Sequence, residues 1–126
     1  MSIFRQGDFQ LHSGGSSWFK IDCDALTLED WAILARLIAQ NVTFEKVIGV
    51  PTGGLKLAKA LRRYCKKDAH ISTLIVDDVL TTGESMERLK GTIDPKDRSI
   101  VRGIVVFSRG LCPNWIVPIF HLNLKV

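Results

Sequence analysis

The sequence predicts an α/β fold: three layers, with a mainly parallel sheet flanked by helices. Three observations predict it. Residues 46–50 (KVIGV) and 73–76 (TLIV) are short apolar runs, and each leads through a loop into a helical pattern. That is the strand–loop–helix unit of a parallel sheet buried on both faces. A third apolar run, residues 100–107 (IVRGIVVF), follows the second helix. The two loops gather glycines and hydroxyls at the carboxyl ends of the strands, where open α/β sheets bind ligands.

The chain has 126 residues, the size of one domain, so residues 1–126 are expected to form a single unit. No apolar run approaches the ~18 residues that span a bilayer, and no signal peptide is visible. Three cysteines, Cys23, Cys65 and Cys112, have neither disulfide nor metal spacing, and His12, His70 and His121 are scattered. No zinc site is expected, and the sparse thiols suit a reducing, cytoplasmic location. The formal charge is +4. Its densest cluster, Arg62, Arg63, Lys66 and Lys67, is expected on a solvated helix face. Nucleic-acid binding is not expected of it.

Taken in order, Phe9 and Leu11 alternate as a strand, residues 13–16 (SGGS) form a turn, and Trp18 to Asp22 form a returning strand. Residues 27–40 are the clearest helix. Thr27 caps it with Asp30 at the capping-box position, and Leu28, Trp31, Ala32, Ala35, Ile38 and Ala39 make its expected core face. Strand 46–50 runs into Pro51-Thr52-Gly53-Gly54 and a helix over 55–66. Glycines there let backbone approach a ligand closely. Gly49 and Gly54 have the separation of a Walker A motif, but Leu55 stands where lysine must follow, which excludes that reading.

The strand at 73–76 ends in adjacent carboxylates, Asp77 and Asp78. Then follow Val79, Leu80, a hydroxylic turn (Thr81, Thr82, Gly83, Glu84, Ser85) and a helix over 86–91. Backbone N–H groups and hydroxyls before a helix suit an anion. The carboxylates accept hydroxyl hydrogen bonds and attract Mg²⁺. Together they suit a ligand with a phosphate at one end and a diol in the middle. Neighbouring strand residues face opposite ways, so both acids reach one sugar only if the strand ends near Asp77. A two-component receiver domain also carries an acid pair, but near its chain start rather than past the midpoint. Residues 94–98 form a turn. Strand 100–107 leads to Ser108-Arg109-Gly110, and residues 113–126 hold a final strand or two.

Residues 73–85, TLIVDDVLTTGES, resemble the signature of type I phosphoribosyltransferases that binds 5-phosphoribosyl 1-diphosphate (PRPP). The pattern V-P-T-G-G-x-x-x-A at 50–58 looks like the orotate branch. Phe9, Leu11, Ser13, Gly14, Ser17, Phe19 and Asp22 fit that branch's N-terminal pattern, although Ser16 stands where a lysine is common. The resemblance implies transfer of ribose 5-phosphate from PRPP to a nucleobase, orotate or a similar one, with Mg²⁺ and release of diphosphate. It implies that Asp77 and Asp78 are catalytic and hold the ribose diol, with Mg²⁺ held near them through the substrate. Thr81, Thr82, Gly83, Glu84 and Ser85 would wrap the 5′-phosphate, the Glu84 carboxylate turned away. Thr52, Gly53 and Gly54 would hold the diphosphate, and Arg109 and Phe19 the base. The family also places a strand and a mobile lid between its two phosphate loops, and only residues 65–72 occupy that interval here. A PRPP-binding sensor or regulatory protein without chemistry is therefore the alternative. The resemblance implies a homodimer, although the lid that serves the neighbouring site has no counterpart.

Overall fold

Four strands lie side by side in the order in which the chain makes them. The computed structural model describes residues 4–10 and 16–121, with residues 4–10, 16–21 and 99 described by backbone alone. Leu11, the expected turn residues Ser13 to Gly15 and the segment after His121 lie outside the described residues. The sheet runs β3 (Phe44–Gly49), β4 (Ile71–Leu80), β5 (Val101–Ser108) and β6 (Ile116–His121), every neighbouring pair parallel. β1 (Phe4–Gln10) and β2 (Ser16–Ile21) pair antiparallel in a separate two-stranded sheet, the hairpin expected from sequence. No helix among the described residues is long and apolar enough to cross a membrane.

Helix α1 (Leu28–Asn41) begins as its sequence dictates. The Thr27 hydroxyl accepts the Asp30 N–H at 3.1 Å, and the Asp30 carboxylate accepts the Thr27 N–H at 2.9 Å. Thr27→Ala is expected to cost about 1 kcal/mol, a fall of about 4 °C in Tm; an unchanged thermal unfolding midpoint would mean the box is idle. The buried stripe is narrower than expected. Trp31, Ala35 and Ile38 are buried, whereas Leu28 is 81% exposed and Ala32 is exposed. One helix on a flat sheet buries a single line of side chains, and Leu28 and Ala32 fall beside that line.

Helix α2 (Leu55–Leu61) ends earlier than expected and tightens into a 3-10 turn at Arg62–Tyr64. The exposed basic cluster thus sits on that turn and the loop after it, not on a helix face. Helix α3 (Glu84–Gly91) starts two residues early.

Two cores lie on opposite faces of the sheet. Trp31, Ala35, Ile38, Leu57 and Leu61 of α1 and α2 meet Phe44, Leu74, Val76, Ile104 and Val106. On the other face, Met86 of α3 meets Ile75, Val101, Val105 and Ile116. The strand order never reverses, yet α2 and α3 cover opposite faces. The crossovers β3–α2–β4 and β4–α3–β5 therefore have opposite hands, and one departs from the usual right-handed rule.

The β5–β6 connection is also unusual. Parallel neighbours commonly need a dozen residues and a helix between them. Here residues 109–115 suffice, because β6 starts opposite Gly103 and only the rise from Gly103 to Ser108 must be retraced. That is roughly 16 Å, within the reach of an extended chain of this length. Trp115 anchors the return. Its indole N–H donates to Glu87 of α3 at 2.6 Å, the Lys90 ammonium lies 4.7 Å from its ring centre, and its edge rests where a Cβ on Gly103 would stand.

Candidate functional site

Because the strands are parallel, the loops after β3, β4 and β5 emerge at one end of the sheet. This brings together residues 51–54, 81–83 and the turn beginning at Arg109.

The acid pair sits inside β4 and not at its end. The strand continues to Leu80, which corrects the expectation that it stops near Asp77. Both carboxylates nevertheless meet, because the alternation slips. Leu74 and Val76 face the α1–α2 core and Ile75 faces the α3 core. Beyond the acids, Val79 joins the α1–α2 core and Leu80 the α3 core, one residue out of phase. Pairing with β5 keeps one register across the acids, Asp77↔Val105 and Val79↔Phe107, so the slip is in side-chain direction and no residue is inserted.

The Asp77 carboxylate accepts the Asp78 N–H at 2.8 Å, and the Asp78 carboxylate accepts the Val79 N–H at 2.7 Å. The Asp77 carboxyl is pushed up to about 8, first by burial, then by its side-chain hydrogen bond to Asp78 and by that neighbour's charge. Neighbouring carboxylates disfavour the ionisation of one another.

Asp78 points at the loop after β3. A Cβ on Gly53 would fall on the Asp78 carboxylate, so loop and acid touch because residue 53 has no side chain. Gly54 lies deeper, where a Cβ would meet Val76, Val50 and Asp77 backbone. Its N–H donates to the Val50 carbonyl at 2.8 Å, and Thr52 is exposed at the rim. The Pro51–Thr52 peptide is cis.

After β4, Thr81 and Thr82 are exposed and Gly83 turns the chain into α3 with φ +81°, a left-handed conformation that favours glycine. The Thr82 hydroxyl accepts the Glu84 N–H at 3.4 Å, and Glu84 and Ser85 are exposed on the first helical turn. Glu87, the other acid of that turn, is engaged with Trp115.

Arg109 is half-buried beyond β5, and burial lowers its guanidinium from the usual value. Its N–H donates to the Leu80 carbonyl at 3.3 Å, tying its turn to the residue before Thr81. Phe19 lies in β2, and its side chain is outside the described residues.

Sequence reasoning treated Cys23 only as a reduced thiol. It is buried, and its thiol is pushed up to about 12 by burial and by the charges of Asp78, Asp22, Asp24 and Asp77. It is therefore an inert thiol in an acidic setting. Among the described residues, no group of three or more His, Cys, Asp or Glu is arranged to enclose a metal ion.

No family model matches the chain. An orotate phosphoribosyltransferase of Caenorhabditis elegans is 27% identical over 138 residues, covering 86% of this chain and 61% of that protein. The match is longer than this chain's 126 residues, so the relative carries residues without a counterpart here. Among solved structures, orotate phosphoribosyltransferase from Aeropyrum pernix superposes with a TM-score of 0.66 at 23% identity, covering 94% of this chain and 88% of that one. The chain has a type I phosphoribosyltransferase fold of the orotate kind. Leishmania donovani UMP synthase shares it, with a TM-score of 0.68 at 21% identity over 95% of this chain and 34% of that one. Within this fold the glycine loop and the Arg109 turn leave the carboxyl end of the sheet, and the acid pair lies just inside β4 beside them. The chain spans about 61% of the curated relative's length.

Proposed function

We propose that this protein is a phosphoribosyltransferase acting on PRPP and a carboxylated pyrimidine base such as orotate, with residues 1–126 working as one domain. The observation that carries this reading is the adjacent Asp77 and Asp78 carboxylates, with Asp78 held against Gly53, beside the open Thr81–Thr82 turn. It is supported by the similarity to orotate phosphoribosyltransferases.

In this reading Asp77 and Asp78 accept hydrogen bonds from the two ribose hydroxyls. Their charge favours the cationic character that develops at the sugar carbon as diphosphate leaves. Thr81, Thr82, Gly83 and Ser85 hold the 5′-phosphate through hydroxyls and backbone N–H groups, with Glu84 turned outward. Thr52, Gly53 and Gly54 line the diphosphate. Arg109 pairs with the base carboxylate, a geometry suited to a guanidinium, and Phe19 is the other residue assigned to the base. The donor set fits a substrate-borne Mg²⁺, since two carboxylates plus phosphate oxygens are how this ion is commonly held. Mg²⁺ would neutralise the leaving diphosphate. The reading carries a cytoplasmic location with it.

A second reading, PRPP binding without chemistry, is favoured by one observation. Residues 62–70 connect α2 directly to β4, and no lid lies between the two phosphate loops. A lid excludes water and completes a site.

Calorimetric titration with PRPP, with and without Mg²⁺, tests the site, and a screen of bases for diphosphate release separates the readings. Mg²⁺-dependent binding with release on adding orotate is the expected result. Binding without release from any base would leave the sensor, and no binding at millimolar PRPP would end both.

A further inference from the structure

The turn after β5 is held by a network that the site described above does not use. Ser108, the last residue of β5, is completely buried, although its side chain is polar. A buried hydroxyl is costly unless bonded. The Ser108 hydroxyl donates to the Gly110 carbonyl at 2.8 Å and accepts the Gly110 N–H at 3.4 Å and the Cys112 thiol at 3.2 Å. On the next strand His121, paired in register with Ser108, places its Nε2 at 2.8 Å from the same Gly110 carbonyl. That oxygen can only accept, so the imidazole donates from Nε2. The Gly110 carbonyl is thus held by two donors from two strands, while the N–H of its neighbour Arg109 is held by Leu80 of a third. Below this, Phe107 and Phe120 stack at 5.3 Å and tie β5 to β6.

We propose that Ser108 and His121 are positioning residues: by sharing the Gly110 carbonyl they fix the backbone that carries Arg109, and so set the discrimination of this site for a carboxylated base over a neutral one. The inference rests on the base-binding role given to Arg109 above. A guanidinium pairs with a carboxylate through two parallel bonds, and such pairing tolerates little displacement of the backbone that carries it. Leu80 precedes the Thr81–Thr82 turn directly, so the clamp also fixes the separation of the base and phosphate ends of the site.

Three variants test it. Ser108→Ala removes the buried donor. His121→Leu removes the exposed one without touching the core, and His121→Gln restores an N–H donor. Two quantities are read: hydrogen exchange at the Arg109 amide, and affinity for orotate and for uracil in the presence of PRPP. Ser108→Ala and His121→Leu are expected to speed exchange at Arg109 at least tenfold and to weaken orotate about tenfold. Uracil and PRPP affinities should stay unchanged, and His121→Gln should behave as wild type. Unchanged exchange in His121→Leu would overturn the clamp itself. Faster exchange with unchanged orotate affinity would overturn the positioning role. Wild-type protein that binds PRPP but no carboxylated pyrimidine would overturn the base reading, and the positioning role with it, even where exchange shows the clamp to be present.

Discussion

At pH 8, Asp77→Asn is expected to unfold at a higher temperature than the wild-type protein and to bind PRPP ten- to hundredfold more weakly. The Asp77 carboxyl is raised from 3.8 to about 8 in the folded protein, by burial first and then by Asp78. Between those values the folded state binds a proton that the unfolded state has released. The linkage relation then makes stability fall as pH rises from about 4 to about 8, with a slope of at most about 1.4 kcal/mol per pH unit. Stability from this source is fully present below pH 4 and gone above pH 8. Asparagine keeps the shape and can donate to Asp78, but it never ionises, so the slope should vanish. The cost appears in binding, because a charged acceptor for a hydroxyl contributes about 1.5–3 kcal/mol and the amide does not attract Mg²⁺. The same reasoning predicts proton release when PRPP binds the wild-type protein below pH 8, visible as a buffer-dependent heat. Urea or thermal unfolding of both proteins from pH 4 to 9 is the check. Parallel stability curves would show that Asp77 holds no such proton.

Two adjacent glycines should give opposite results when changed to alanine. Gly54 has φ −86°, open to any residue, so its requirement is space alone. A Cβ there would meet the Val50 nitrogen at 2.7 Å and the Asp77 Cα at 3.1 Å, as well as the Val76 carbonyl. All three are backbone, and none yields without opening the β3–β4 pairing. Gly54→Ala is expected to destabilise the fold by about 3 kcal/mol or more, in the range of severe core changes. At Gly53 the three atoms a Cβ would come nearest to all belong to the Asp78 carboxylate. Asp78 can rotate away at the loss of its bond from the Val79 N–H, about 1 kcal/mol. Gly53→Ala should therefore fold nearly normally and lose PRPP binding at least tenfold. Equal destabilisation by both, measured in urea, would show that neither position is about Asp78.

Much of the fold was legible because its signals are local. Apolar runs at 46–50 and 73–76 marked β3 and β4, the Thr27–Asp30 box marked the start of α1, and Gly83 marked the turn into α3. A period or a cap needs only neighbours in sequence. The layout of the loops was legible to the same depth: which of them leave the carboxyl ends of the strands, and that two acids stand between them. Leu28 and Ala32 were misplaced, because the width of a buried stripe depends on what lies beneath it. The clamp on Gly110 was not visible at all. Ser108 and His121 are separated in sequence and share one backbone oxygen only after β5 and β6 pair in register.

By itself, the sequence determined the α/β class, the strand–loop–helix units and the acid pair, since each is written in periodicity and residue type over a few positions. Only the tertiary structure decided how the acids converge, which hands the crossovers take and what holds the Arg109 turn. A slip in alternation at Asp77–Asp78, a helix choosing one face of the sheet, and a carbonyl shared between strands are all settled by packing between residues far apart in the chain, where free energy depends on the whole assembly and no local pattern records the outcome.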